Sequence, residues 1–206
     1  MPYSLVEPLI HPVAIVDLRP TQMTIGFAEV VDKRAQWHDR LKLDGPDFLG
    51  RHMIPVVIGP KKAPWMIDQH HLVRALLEEG VEYVLVSVVA RLNHLDQRTF
   101  FTFMDSRNWL HPFNANGQRC DYGNIPKTIA KLKDDPYRSL AGAVRKLGGY
   151  AKTDLPYSEF LWADFFRRRI NAALLKNDFG KAAAKALKLA HRPPANYLPG
   201  FCGANE

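Results

Sequence analysis

The rhythm of apolar and polar positions changes several times along the chain, and each change predicts an element. Residues 13–18, VAIVDL, are a short apolar run stopped by Pro20 and read as a strand. From 27 to 43, Val30, Val31, Trp37 and Leu41 recur at roughly helical spacing, and DGPDF at 44–48 then breaks the chain. HMIPVVIG (52–59) and PWMID (64–68) predict two strands joined by the short turn PKKA. In HHLVRALLEEG (70–80), Leu72, Ala75 and Leu76 fall on one helical face, with Gly80 as a C-terminal stop. VEYVLVSVVARL (81–92) is β-branched and apolar almost without interruption, which predicts a strand buried on both faces. DQRTFFTFMDSRNWL (96–110) predicts a further helix.

Beyond Trp109 the pattern shifts. HPFNANGQRCDYGNIP (111–126) is rich in Asn, Gly and Pro and reads as an ordered connection. Helical patterns follow at 128–135, 139–149, 158–175 and 178–194, with Ser158 as a candidate cap ahead of Leu161, Phe165 and Phe166. The tail from 195 reads as irregular, and there is no internal repeat. The order strand, helix, hairpin, helix, strand predicts an α+β fold with helices packed on a small mixed sheet. Its span is 10–112, followed by a mainly α-helical C-terminal region over 113–206.

Composition narrows the class. A chain of 206 residues can bury one good core with room for a small subdomain, and 47% hydrophobic with 24% charged residues is ordinary for a soluble protein. No apolar run approaches the roughly 20 residues of a membrane span, and MPYSLVEPLI lacks a basic stretch followed by an apolar one. The expectation is a cytoplasmic protein with no membrane partner; the oligomeric state is not indicated. Cys120 and Cys202 form no C-x-x-C pair and read as two free thiols.

The charge of +7 is uneven: from Arg167 to Arg192 there are eight Lys or Arg residues against Asp178 alone. Arg167 and Arg168 open the block, and Lys181, Lys185 and Lys188 share one helix face. Such a block suits DNA, where Lys and Arg gain from counterion release, or a solvated helix face. No helix-turn-helix, zinc-finger or RNA-binding signature accompanies it.

The chemistry-bearing stretch is WMIDQHHLVRALLEEG (65–80). Asp68 stands where a helix N-cap belongs, and capping alone would explain it. It would not explain His70 and His71, since two imidazoles in a first turn give a helix no advantage. A helix start after a buried strand is also where phosphates bind, because backbone N–H groups and the positive dipole end face the anion. There His70 and His71 would add donors, Arg74 would follow one turn on, and Asp68 could hold a divalent cation beside phosphate oxygens. A second group, Arg19, Thr21 and Gln22, follows the first strand, with Glu29 opening the next helix; it reads equally as a pocket edge or as a proline turn.

The pattern VDLRPTQ...G..EV...R (16–34), then IPVVIG, WMIDQHHLVRALLEEG and a long apolar strand, resembles the ParB/sulfiredoxin superfamily. Within it the chain is most similar to the branch of ParB-like nucleases with a D-x-H-H motif. The resemblance covers residues 10 to 110 and implies that Asp68, Gln69, His70 and His71 form a phosphate and metal site. Arg19, Thr21, Gln22 and Arg74 would lie beside it. It also implies a bound nucleotide (ATP, ADP or CTP) with Mg2+, or another phosphate-bearing small molecule. Compared with the D-G-H-H-R of related serine kinases, Gln69 replaces glycine and Leu72 replaces arginine. Where those kinases carry a catalytic glutamate this chain has Gln22, whose amide cannot take a proton, so a kinase reaction would need Glu29 or His71 as base. The sulfiredoxin cysteine has no counterpart near Asp68. The expected function is phosphoryl-transfer, phosphohydrolase or nuclease chemistry at Asp68, His70, His71 and Glu29. The alternative is a non-catalytic nucleotide- or DNA-binding regulatory protein of the partition type.

Overall fold

The structure, a computed structural model, describes residues 10–44 and 52–203. The break expected at 45–48 and the side chain of Leu41 lie outside the described residues. The chain divides into two compact units: Met1–Met23, Val30–Phe113 and Arg119–Leu132 in the first, and Thr24–Glu29, Asn114–Gln118 and Lys133–Glu206 in the second.

The first unit holds a five-stranded mixed sheet made of β1 (Ile10–Ala14), β2 (Arg19–Pro20), β4 (Ile54–Ile58), β5 (Pro64–Met66) and β6 (Tyr83–Arg91), in the order β1-β6-β4-β5-β2. The β4–β5 hairpin is antiparallel, while β2 runs parallel to β5 and β6 parallel to β4. The strand expected at 13–18 is split. β1 ends at Ala14, Ile15–Asp17 makes a single 3-10 turn, and β2 resumes at Arg19. Two edge strands must be reached by a short connection, and Ile15 and Leu18 are buried on either side of it. Pro20, which has no N–H for a ladder, is tolerated because β2 is an edge.

β6 is a strand, but not one buried on both faces. Val84 and Val86 are buried while Tyr83 and Val89 are exposed, so alternate residues face outward. Helices α2 (His70–Glu78) and α3 (Gln97–Ser106) follow β5 and β6. α3 is capped by Asp96, whose carboxylate accepts from Thr99 N–H, and it buries Phe100, Phe101 and Met104 with Val57 and Leu110.

The second unit pairs β3 (Thr24–Ile25) with β7 (Lys133–Asp134). It also carries α4 (Pro136–Lys146), α5 (Ser158–Arg167), α6 (Ala172–Asn177) and α7 (Phe179–Ala190). Helix α1 (Phe27–Asp44) has its first residues in this unit and continues in the first. The helix expected at 128–135 is absent: Ile129–Lys131 makes a 3-10 turn and β7 follows. Pro136 explains the outcome, since it keeps Asp135 extended (φ −119°) and makes it the N-cap of α4.

The single helix expected at 158–175 is two, because Asn171 caps α6 through Ala173 N–H. Ser158 is not the cap of α5 either; that place belongs to Tyr157 at φ +59°, which offers no side-chain acceptor. The core is aromatic against small: Tyr150 stacks on Trp162 at 4.2 Å, and α7 buries Ala182, Ala183, Ala186 and Ala190. No helix among the described residues is long and apolar enough to cross a membrane.

Candidate functional site at the start of α2

After β5 the chain passes Ile67 and Asp68 and enters α2 through Gln69. Gln69 adopts φ +64°, ψ +27°, in the left-handed region. A side chain there costs about 1–2 kcal/mol, which glycine avoids. The glutamine is held from both sides. Its Nε2 donates to the Met53 carbonyl at 3.0 Å, and its backbone N–H donates to Asp68 Oδ1 at 2.7 Å. Asp68 is therefore not the helix cap: it stands one residue early, and its carboxylate closes on the residue that follows. The N-cap position is Gln69, which gives no side-chain acceptor to the first-turn N–H groups.

His70 turns inward. Its ring is buried, and its Nε2 accepts the Thr21 N–H at 3.2 Å, which places the ring proton on Nδ1. Burial pushes its pKa down to about 3, and charge on His71 or His111 would push the same way. His70 is thus a neutral acceptor that holds the end of β2. Thr21 is equally committed: its hydroxyl donates to the Met66 carbonyl at 2.8 Å and its own carbonyl accepts from His111 N–H at 2.8 Å. Gln22 is buried and bridges to His111. Successive helical residues point about 100° apart, so His71, half-buried, faces away from the direction of His70. Asp68 is exposed, and its second oxygen has no partner among the described residues.

His111 joins this group without any sequence signal. It lies in the Asn- and Gly-rich connection, its ring stacks on Phe113 at 4.6 Å, and backbone pairing with Thr21 and Gln22 brings it to the motif.

The other expected residues go elsewhere. Arg74 donates to the carbonyls of Ile129, Ala130 and Leu132 and pairs with Glu78. Arg19 donates to the Lys127 carbonyl. Glu29, in the second unit, is paired with the buried Arg138 at 2.6 Å. Arg167 is paired with Asp135 and Asp164, and Arg168 with Asp164. Lys181, Lys185 and Lys188 are exposed along α7, opposite its buried alanines.

Among the described residues no group of three or more His, Cys, Asp or Glu side chains is arranged to hold a metal ion. A single carboxylate suits Mg2+ only when a ligand's phosphate oxygens and water complete the shell, which is how that ion is commonly held.

A family model described as "putative ParB-like nuclease" matches residues 11–168. The chain belongs to this ParB-like family. Among solved structures, protein Atu1540 from Agrobacterium tumefaciens is 52% identical, with 98% of this chain and 100% of that chain covered and a TM-score of 0.91. The C-terminally truncated chromosome-partitioning protein ParB from Caulobacter crescentus, solved with CTP-gamma-S, is 14% identical over 91% of this chain and 95% of that one. Its TM-score of 0.31 is too low to bear on fold or ligand. No curated protein matches the chain. The α+β architecture is thus that of a ParB-like protein, and the D-x-H-H turn is where this family member differs from a plain capped helix.

Proposed function

We propose that this ParB-like protein binds a nucleotide, or another phosphate-bearing small molecule, at the start of α2. The observation that carries the reading is the left-handed Gln69, a strained residue at the D-x-H-H turn that feeds the chain into α2 with no side-chain cap. Strain of this kind persists where surrounding bonds over-determine it, and here they do. A phosphate would take the place of the missing cap. Asp68 would hold Mg2+, which when bound neutralises charge on the phosphate oxygens. His71 would donate to a phosphate oxygen or take a proton from an attacking water. His70 and Thr21 fix the strand end against the helix and are positioning residues. Gln22 and the Arg138-bound Glu29 are left out of the proton transfer. Phosphoryl transfer, phosphohydrolysis and nuclease action all need this positioning. The exposed lysine face of α7 favours a second reading, a DNA-binding regulator without turnover.

A thermal-shift panel of ATP, ADP, CTP and GTP, each with and without Mg2+, tests the binding. A ligand at a hundred times its Kd adds about 2.7 kcal/mol, a shift of several degrees. Asp68→Ala should abolish the magnesium-dependent part and His71→Ala should reduce the response with or without metal. A flat panel overturns the reading, and a response without product on chromatography selects the regulatory one.

A further inference from the structure

A cleft of about 590 Å3 in the first unit is lined by Asp17, Arg19, Lys61, Lys62 and Tyr83, with apolar residues of β1 and the start of β5 completing its wall. It is separate from the D-x-H-H turn. Arg19 is paired with Trp65, three residues before Asp68, so roughly 10 Å of strand lies between them.

The hairpin tip beside this cleft is built against its own preference. Lys61 and Lys62 have φ +58° and +57°, and Ala63 N–H donates to the Pro60 carbonyl at 3.3 Å. Two consecutive left-handed residues closing such a turn are the type I′ arrangement, for which Asn-Gly is the favoured pair. Two lysines are a poor choice for the turn, so the turn does not explain them. Neither lysine side chain has a partner among the described residues, and neither does that of Asp17 or of Tyr83, which is 58% exposed. Arg19 uses one donor on the Lys127 carbonyl and keeps others. Three cations therefore face one carboxylate in a cleft that also presents an aromatic ring.

The geometry points to a second anion site, one that takes a phosphorylated nucleoside. The phosphates lie against Lys61, Lys62 and Arg19, and the base lies on Tyr83. Cations alone would suit any anion; the exposed tyrosine adds the flat apolar surface on which a base stacks. The same chemistry is offered by a free mononucleotide and by a single strand of nucleic acid, and the volume accommodates either a nucleotide or a strand end.

The test is fluorescence anisotropy of a labelled twelve-nucleotide oligothymidylate on the full chain, between 50 and 200 mM salt, with unlabelled oligomer and dTMP as competitors. The decisive variant is Lys61→Asn with Lys62→Gly, which removes both charges while giving the turn its favoured pair. Its Tm should rise while affinity at low salt falls about tenfold or more. The slope of log affinity against log salt should flatten by about 1.4, or about 0.7 for each lost phosphate contact on a single strand. Tyr83→Ala should weaken binding about fivefold or more with an unchanged slope. Competition by dTMP identifies a free nucleotide as the ligand, and competition by the oligomer alone identifies a strand. Equal affinity of the double variant and the parent overturns the proposal, as does the absence both of oligomer binding and of a Tm shift with dTMP. The magnesium-dependent response at Asp68 is read separately, so either site can fail without the other.

Discussion

At His70 two demands compete: an imidazole charges below about pH 6.5 in water, yet this ring is buried and its Nε2 already accepts a backbone N–H. The folded pKa, about 3, lies below the unfolded one, so below pH 6.5 the unfolded chain binds the extra proton. Stability is intact above that pH and is lost as pH falls from about 6.5 toward 3. Between pH 7.5 and 4.5 the loss attributable to His70 is about 2–3 kcal/mol, readable as a falling urea midpoint. His70→Gln, whose amide oxygen can still accept from Thr21, should flatten the profile over that range; an unchanged slope would place the acid sensitivity elsewhere. Gln69 shows the same logic in the backbone. D-Q-H-H is legible as a motif, but not that its second residue is left-handed, because φ is set by bonds to Met53 and Asp68 that are made only in the fold.

At the scale of elements, α4 is tied into its unit by a buried ion-pair network. Arg138 bridges Glu29 and Glu159, and Arg145 joins Glu159 at 2.6 Å. Gly142 lies beneath it, and a Cβ there would come within 1.7 Å of Glu29 Oε1. Helix propensity alone says Gly142→Ala should stabilise by about 1 kcal/mol. Displacing Glu29 from a buried arginine costs about 3–5 kcal/mol, so a net loss of about 2–4 kcal/mol is expected in urea unfolding. A gain in stability would show that the carboxylate moves aside freely. The pattern that predicts α1, β4, β5, α2, β6 and α3 works because each carries its own period. It fails at 128–135, where an apolar pair at helical spacing yields to Pro136 and to pairing with β3. It fails again at Ser158, where the entry into α5 is decided by the left-handed Tyr157.

For the molecule as a whole, the charge of +7 is real but unequally available. Arg74, Arg138 and Arg167 are absorbed by carbonyls and carboxylates, whereas Lys181, Lys185 and Lys188 are exposed. If duplex DNA is a partner through α7, changing all three lysines to Gln should flatten its log–log salt slope by about 2.7 and weaken binding, with Tm nearly unchanged. An unchanged slope in a duplex titration would remove α7 from any DNA interface. The oligothymidylate assay reads Lys61 and Lys62 instead, so the two basic surfaces report independently.

The sequence by itself determined the α+β class, the ParB-like family and the place of the D-x-H-H turn, because periodicity and short motifs are local properties that survive without a partner. Tertiary structure decided which polar residues are available. It turned His70 into a buried acceptor, drew Arg74 onto backbone carbonyls, paired Glu29 with Arg138 and brought His111 to the motif from a loop some forty residues on. It also placed Arg19 in one cleft with Lys61 and Lys62. A side chain's charge and reach are written in the chain, but its desolvation and its partners come from residues far away in sequence, and those set what it can do.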